Sequence, residues 1–150
     1  MARRKSRERA LQVLFAHDLT RQPVEEATQA YYNTLHSYSD DDAIHRIAPD
    51  AFMEELVRGT LARLDDIDAR ITAHAANWRI DRLPNVERNI LRLGVYELLA
   101  GNLAQPVVLD EAIELARRFA GEESVRFING VLDAVGRELR PSEAAGKSGE

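Results

Sequence analysis

Apolar residues recur along most of the chain at intervals of three and four, the spacing of one face of an α-helix. This pattern predicts a first helix over about residues 5–19. A second is predicted to begin at Pro23, since proline is favoured in the first turn of a helix. A long third helix is predicted from about residue 50 to residue 75, and we expect Trp78 to anchor its far end.

The fourth predicted helix opens at Pro84 and carries apolar side chains around nearly its whole circumference. A helix of this kind is typical of the middle of a domain, so we expect the other helices to surround it. Gly101 is predicted to end it, because glycine is the residue that most readily adopts the conformation that follows a helix.

Two further helices are predicted in the last third of the chain. One opens at Pro106 and is expected to end at Gly121, and the other follows Ser124 and stops before Pro141. The Asn129–Gly130 pair, normally a turn signal, falls inside the apolar stripe of the last helix. We therefore expect the glycine to allow another helix to approach closely.

No segment shows the alternation of a strand, so the predicted fold class is all-α, a compact bundle of about six to seven helices. At 150 residues and 45% hydrophobic composition, the chain suits one ordinary domain, which we place at residues 1–140. The acidic stretch 39–42 is predicted to be a solvated loop. Residues 141–150 are rich in Ser, Gly, Ala and Glu and are expected to form a disordered tail.

Positive charge is concentrated at the start of a chain whose net charge is −5. The first nine residues contain one acid, Glu8, and five cations: Arg3, Arg4, Lys5, Arg7 and Arg9. Cations at the start of a helix face the positive end of its dipole, where each is disfavoured by roughly 0.3 to 1 kcal/mol. We infer that folding does not require them there and that they serve an anionic partner, foremost the phosphates of nucleic acid.

Other interpretations of this basic segment are a solvated terminus, a membrane-binding surface and a signal peptide. The apolar run 10–16 is too short and too polar for a signal peptide. The five cations fall all round the helical wheel, unlike those of a membrane-binding helix, and no stretch approaches the roughly 20 apolar residues of a membrane span. We expect a cytoplasmic protein, and a solvated terminus remains the main alternative to nucleic-acid binding.

Patterns of catalytic or metal-binding residues are scarce. The four histidines lack the spacing of a zinc motif, and a chain without cysteine has no thiolate ligand or thiol nucleophile. The glycines are scattered singly, which leaves no phosphate-binding loop. Asp65, Asp66 and Asp68 form a close carboxylate group, which we interpret as the solvated face of a helix. We predict no enzyme activity, no cofactor and no metal.

Phe127 lies about 90° from the centre of the apolar face when the last helix is drawn as a wheel. An aromatic ring at this edge of the face can stack on a nucleic-acid base. It can equally pack beneath the preceding loop, and periodicity alone does not separate the two interpretations.

Four segments of the chain follow one another in the order of a known family. They are ARRKSRERALQVLF at residues 2–15, VERNILRLGVYEL at 86–98, DEAIELA at 110–116, and the RFINGVL core within 119–133. Together they resemble the NusB family of transcription antitermination factors, and the likeness runs through almost the whole chain to Leu139. The resemblance implies two small helical bundles joined by a long helix, which agrees with the helices predicted above.

The resemblance also implies a function without catalysis. NusB proteins pair with the ribosomal protein that doubles as NusE. The pair binds boxA RNA of rRNA leaders and, with other Nus factors, helps RNA polymerase to read through terminators. The RNA contacts carried over to this chain are Arg3, Arg4, Lys5, Arg7, Glu123, Arg126 and Phe127. The partner surface includes Phe15 and Glu87.

The chain departs from the family pattern at two of these positions. Glu123 stands where the family often has Asp, and Phe15 stands where Tyr is common, so no hydroxyl is available for a hydrogen bond there. An acidic protein body also repels phosphate. A second, more basic protein is therefore expected to widen the RNA-binding surface.

Two other classes of function compete with antitermination. A similar helical domain occurs fused to rRNA cytosine methyltransferases, and the chain would then be at most an RNA-docking module, since it carries no nucleotide-binding pattern. The other is a helical adaptor that binds only proteins and whose basic segment is incidental. RNA titration with and without the ribosomal partner separates all three.

Overall fold

The computed structural model describes residues 2–37, 49–76 and 78–140, and within these ranges the chain forms seven α-helices, a short 3-10 turn and no strand. The helices are α1 (Ala2–Thr20), α2 (Val24–Ser37), α3 (Ala51–Ala62), α4 (Leu64–His74), α5 (Asn85–Ala100), α6 (Gln105–Phe119) and α7 (Glu122–Glu138), and the turn is Ile80–Arg82. The predicted all-α class is confirmed. The expected loop at 39–42 and the expected disordered tail at 141–150 lie outside the described residues.

α5 lies at the centre of the molecule, as its all-round apolar pattern predicted. It packs against two groups of helices, α1 with α3 and α6 with α7, and it also contacts α4. Ile90, Leu91, Leu93 and Val95 of α5 are at most 1% exposed. Burying side chains of this size contributes about 1.5 to 3 kcal/mol each, so α5 is the main connection between the two groups.

A break at Arg63 divides the predicted long third helix into α3 and α4. The backbone N–H of Arg63 donates to the carbonyl of Thr60 at 3.3 Å, and helical bonding resumes where Ile67 N–H donates to the carbonyl of Arg63 at 2.9 Å. Asp65 and Asp66 occupy the first turn of α4, where carboxylates complement the positive end of the helix dipole. The apolar stripe continues across the break, so periodicity alone could not reveal it.

Helices approach closely at glycines other than the predicted one. A Cβ atom at Gly59 of α3 would overlap the ring of Tyr96 on α5. A Cβ atom at Gly94 of α5 would lie 2.8 Å from the side chain of Leu132 on α7. Gly130 is exposed, and nothing lies within 4 Å of the Cβ position there. The close approach predicted at Gly130 is therefore wrong, and the buried stripe of α7 overrides the local turn signal.

Two predicted helix ends are confirmed. Gly101 (φ 70°) follows α5 and Gly121 (φ 117°) lies just after α6, and both have the positive φ that glycine adopts without strain. The N–H of Gly121 donates to the carbonyl of Ala116 at 2.7 Å. This contact closes α6 and places the start of α7 directly beside its end.

Candidate RNA- and partner-binding surfaces

The basic segment forms the start of α1, and the first turn of this helix contains no acidic residue. Arg3, Arg4 and Lys5 are exposed, and we refer to them as the α1 basic patch. The guanidinium carbon of Arg3 lies 4.4 Å from the ring centroid of Phe52, a cation–π contact that leaves the charge at the surface. The ammonium of Lys5 lies 3.8 Å from Glu8, and its side chain is 60% exposed. All three charges lie at the surface, although Arg4 and Lys5 also contact carboxylates, with which an anionic ligand would compete.

Arg7 differs from the α1 basic patch because it is only 4% exposed. Its Nε and Nη2 atoms donate to the two carboxylate oxygens of Glu97 on α5, at 2.9 and 2.8 Å. Burial alone would lower the pKa of Arg7, but the hydrogen bonds and the charge of Glu97 outweigh it, and the pKa is raised. This buried pair contradicts the predicted phosphate contact of Arg7. It also shows that folding uses a cation in this segment.

A second polar contact fixes α1 to the start of α3. Asp50, the N-cap of α3, accepts hydrogen bonds from Met53 N–H at 2.9 Å and from Ser6 Oγ at 2.8 Å. Arg9 Nη1 also donates to Asp50, at 3.1 Å. Burial would raise the pKa of Asp50, but these hydrogen bonds together hold the pKa below its ordinary value. The α1 basic patch therefore stands on a helix tied to both α3 and α5.

Exposed arginines of α6 extend the basic surface, and sequence reasoning did not identify them. Arg118 Nη1 donates to Glu8 at 2.9 Å while the Arg118 side chain stays 62% exposed. Arg4 donates to Glu111 of α6 at 3.2 Å. These four residues and Arg117 line an open groove of about 270 Å³ between α1 and α6. Because acidic side chains already contact these arginines, a phosphate must compete with them.

The second predicted group of RNA contacts lies in the first two turns of α7. Glu123 and Arg126 are exposed, and Phe127 is partly buried at the edge of the core, as its position on the wheel predicted. The ring of Phe127 lies 6.3 Å from the ring of Trp78, with an angle of 60° between the planes. Trp78 is 53% exposed, so burial of its ring does not anchor the end of α4.

The predicted partner residues lie on adjoining parts of α1 and α5. Phe15 lines an apolar groove of about 260 Å³ together with Leu11, Gln12, Val86 and Phe119. Glu87 follows Val86 directly and is half-buried, and burial raises its pKa. No ion pair to Glu87 is present in the described part of the chain. The surface thus combines an apolar groove with a partly desolvated, unpaired carboxylate.

A polar network that the sequence did not reveal holds this surface in place. Asp18 of α1 accepts hydrogen bonds from Arg88 Nε at 2.8 Å and from Asn89 Nδ2 at 3.0 Å. Arg92 contacts Asp18 at 3.4 Å and donates twice to Asp68 of α4, both at 2.9 Å. Asp68 is therefore part of this network rather than of a solvated face. The only signal in the sequence is a set of polar residues inside the otherwise apolar α5.

Within the described ranges, no helix is long and apolar enough to cross a membrane. The same ranges contain no group of three or more His, Asp or Glu side chains placed to hold a metal ion. His17 Nδ1 lies 2.6 Å from the carbonyl oxygen of Gln22, and His74 Nε2 lies 3.2 Å from Glu138. The side chain of His36 and the whole of His45 lie outside the described residues.

Comparison with known protein families matches residues 4–137 to the NusB family. The transcription antitermination protein NusB of Solibacter usitatus (strain Ellin6076) is 55% identical over 138 residues, which cover 92% of this chain and 90% of the relative. The protein of the same description from Bacillus subtilis (strain 168) is 38% identical over 143 residues, covering 95% of this chain and 100% of the relative.

Solved structures share the fold over the same length. A crystal structure of antitermination factors NusB and NusE in complex with dsRNA matches with a TM-score of 0.74 and 30% identity, covering 91% of this chain and 97% of that chain. The solution structure of NusB from Aquifex aeolicus matches with a TM-score of 0.76 and 30% identity, covering 95% and 92%. On the family match, the identity to relatives and the shared fold, this chain belongs to the NusB family.

Proposed function

We propose that the chain is a transcription antitermination factor that binds boxA RNA of rRNA leader transcripts together with the NusE-type small-subunit ribosomal protein. In the cytoplasm, this pair joins the RNA polymerase elongation complex with other Nus factors and promotes processive elongation. The observation that carries the proposal is the α1 basic patch, whose exposed cations stand on a helix fixed by buried polar contacts. The related NusB solved with NusE and dsRNA supports it.

Phosphate binding and base recognition are assigned to different surfaces. Arg3, Arg4 and Lys5 bind backbone phosphates, which gives an affinity that falls as salt rises and that does not depend on base sequence. On α7, Phe127 stacks on an unpaired base, Arg126 donates hydrogen bonds and Glu123 accepts them from exocyclic amino groups. Arg7 supports the phosphate surface indirectly, by holding α1 against α5.

The ribosomal partner is assigned to the groove beside Phe15 and to Glu87. A half-buried carboxylate without a cation costs free energy, and a lysine or arginine of the partner would relieve that cost. A basic partner also compensates for the acidic body of this chain, whose net charge of −5 opposes RNA binding. The network around Asp18 keeps Glu87 and Phe15 in register, because Arg88 binds α1 and Asn85 Nδ2 donates to the Phe15 carbonyl at 3.4 Å.

The proposal includes no catalytic step. If the chain were only an RNA-docking module of the methyltransferase-associated type, the ribosomal partner would leave its RNA affinity unchanged. If it were only a protein-binding adaptor, the partner would bind and RNA would not.

The test is a titration of fluorescently labelled boxA leader RNA with the chain, with the ribosomal protein and with both, at two salt concentrations. We expect both proteins together to bind more tightly than either alone, and a scrambled boxA to bind more weakly. Equal affinity with and without the partner contradicts the proposal, as does partner binding that leaves the RNA unbound.

A further inference from the structure

Three large apolar side chains are exposed in the described part of the chain: Leu19, Trp78 and Val107. Trp78 is the aromatic one among them. It lies between α4 and the 3-10 turn, and its N–H donates to the carbonyl of Ala75 at 3.0 Å, so its backbone has a defined position. A tryptophan that is 53% exposed forgoes much of the free energy that burial of its large ring would supply. The exposed ring is therefore accessible to a ligand.

Phe127 is the aromatic neighbour of Trp78, with ring centroids 6.3 Å apart and planes at 60°. The two ring planes are far from parallel, so the rings do not form a parallel stack with each other. The pair thus joins Trp78 to the α7 surface that the proposed function already assigns to an RNA base, and extends that surface toward the 3-10 turn.

The charges next to the two rings favour nucleic acid. Arg79 follows Trp78 and is 71% exposed at its side chain, and its ion pair with Asp81 is itself at the surface. Arg126 precedes Phe127, is exposed and makes no ion pair with any other described residue. Trp78 is exposed and Phe127 is partly buried. Accessible aromatic rings beside exposed arginines are a combination that binds single-stranded RNA, through base stacking and phosphate contacts.

We propose that Trp78 and Phe127 together form a two-ring stacking site for successive unpaired bases of the RNA, with Arg79 and Arg126 beside it. This inference rests on the proposed RNA-binding function and names a contact beyond those carried over from the family. Stacking is tolerant of base identity, so the site adds affinity and orients the strand rather than reading its sequence.

The chain contains a single tryptophan, so its intrinsic fluorescence reports on Trp78 alone. In the complex with the ribosomal partner, titration with boxA leader RNA should quench this fluorescence along the same binding curve that anisotropy of the labelled RNA gives. Quenching by the partner before RNA is added would assign the surface to the protein and overturn the inference.

Variants give a second readout. Trp78→Ala should weaken RNA binding by about 5- to 150-fold with an unchanged salt slope, because stacking releases no counterions. Trp78→Phe should retain most of the affinity, and Val107→Ala, which removes an exposed apolar side chain on α6, should retain all of it. Circular dichroism and urea unfolding check that each variant is folded. If Trp78→Ala does not fold, the RNA affinity of Trp78→Phe and the fluorescence of the wild-type chain still test the inference.

The outcomes separate this inference from the proposed function. Wild-type RNA binding with no change in Trp78 fluorescence, and wild-type affinity in Trp78→Ala, would overturn the stacking site and leave the function intact. No RNA binding by the wild-type pair at any salt concentration would remove both.

Discussion

The guanidinium of Arg7 and the carboxylate of Glu97 form a bidentate ion pair at 2.8–2.9 Å across the contact between α1 and α5, with side chains only 5% and 10% exposed. Because of this ion pair, the cations of the basic segment have two different roles. Arg7 helps to hold the helix in place, whereas Arg3, Arg4 and Lys5 remain at the surface. Cations that look alike in the sequence are therefore expected to respond differently to substitution.

Arg7→Ala is expected to lower the free energy of unfolding by about 3 to 5 kcal/mol, because it leaves the buried carboxylate of Glu97 without its partner. Replacing both residues with apolar ones, as in Arg7→Met with Glu97→Leu, should recover much of that loss. Urea unfolding of the single and double variants measures both effects. An Arg7→Ala protein of normal stability with a reduced salt slope for RNA binding would instead make Arg7 a phosphate contact.

Replacing Arg3, Arg4 and Lys5 together with Ala should weaken RNA binding and flatten its dependence on salt. Each lost single-strand phosphate contact reduces the slope by about 0.7 log units. Stability should stay nearly constant, because all three side chains are exposed. Anisotropy titrations at several salt concentrations measure the slope.

A charge-matched control for this variant replaces three other exposed arginines, Arg58, Arg63 and Arg137, with Ala. The control alters net charge equally but should keep most of the affinity and the slope. If both triple variants lose the same affinity, general electrostatics rather than the α1 basic patch accounts for binding.

Glu87→Lys is expected to abolish binding of the ribosomal partner and leave the isolated chain folded. As a first-turn carboxylate of α5, Glu87 contributes at most about 1 kcal/mol to stability through the helix dipole. Burial raises its pKa, so above that pKa the ionised group costs stability, and Glu87→Gln should not destabilise the chain at neutral pH. Calorimetry with the partner tests the variant, and normal affinity in a folded Glu87→Lys protein would rule out this surface.

Asp50 should contribute to the loss of stability in acid. Its pKa is lowered in the folded state, so its contribution is complete above the ordinary carboxyl pKa of about 3.9 and disappears as the pH falls through the lower folded value. Asp50→Ala should cost at least the roughly 1 kcal/mol typical of an N-cap at neutral pH. Urea unfolding at several pH values should show this difference shrinking in acid, and a difference that is constant with pH would refute the assignment.

Local features of the chain were predictable and distant contacts were not. The buried circumference of α5 and the ends at Gly101 and Gly121 follow from periodicity and from backbone preferences that neighbouring residues determine. The position of Phe127 at the edge of the α7 core follows from helix geometry alone. The α1 basic patch follows from residue type and from family resemblance.

The errors have a common physical cause. Arg7 meets a carboxylate 90 positions away in sequence, and no local pattern indicates such a pair. The break at Arg63 lies within an uninterrupted apolar stripe, because both helices bury the same face. Trp78 was expected to anchor a helix end, but its ring is 53% exposed, and the apolar pattern of the preceding helix does not indicate this exposure.

The most direct test of the account is read-through of a terminator in transcription reconstituted with RNA polymerase, the other Nus factors and a boxA leader template. Adding the wild-type chain with its ribosomal partner is predicted to increase full-length transcript. The triple variant of the α1 basic patch and Glu87→Lys should each give less read-through. Unchanged termination with the wild-type pair would contradict the account, as would variants that give as much read-through as the wild-type chain.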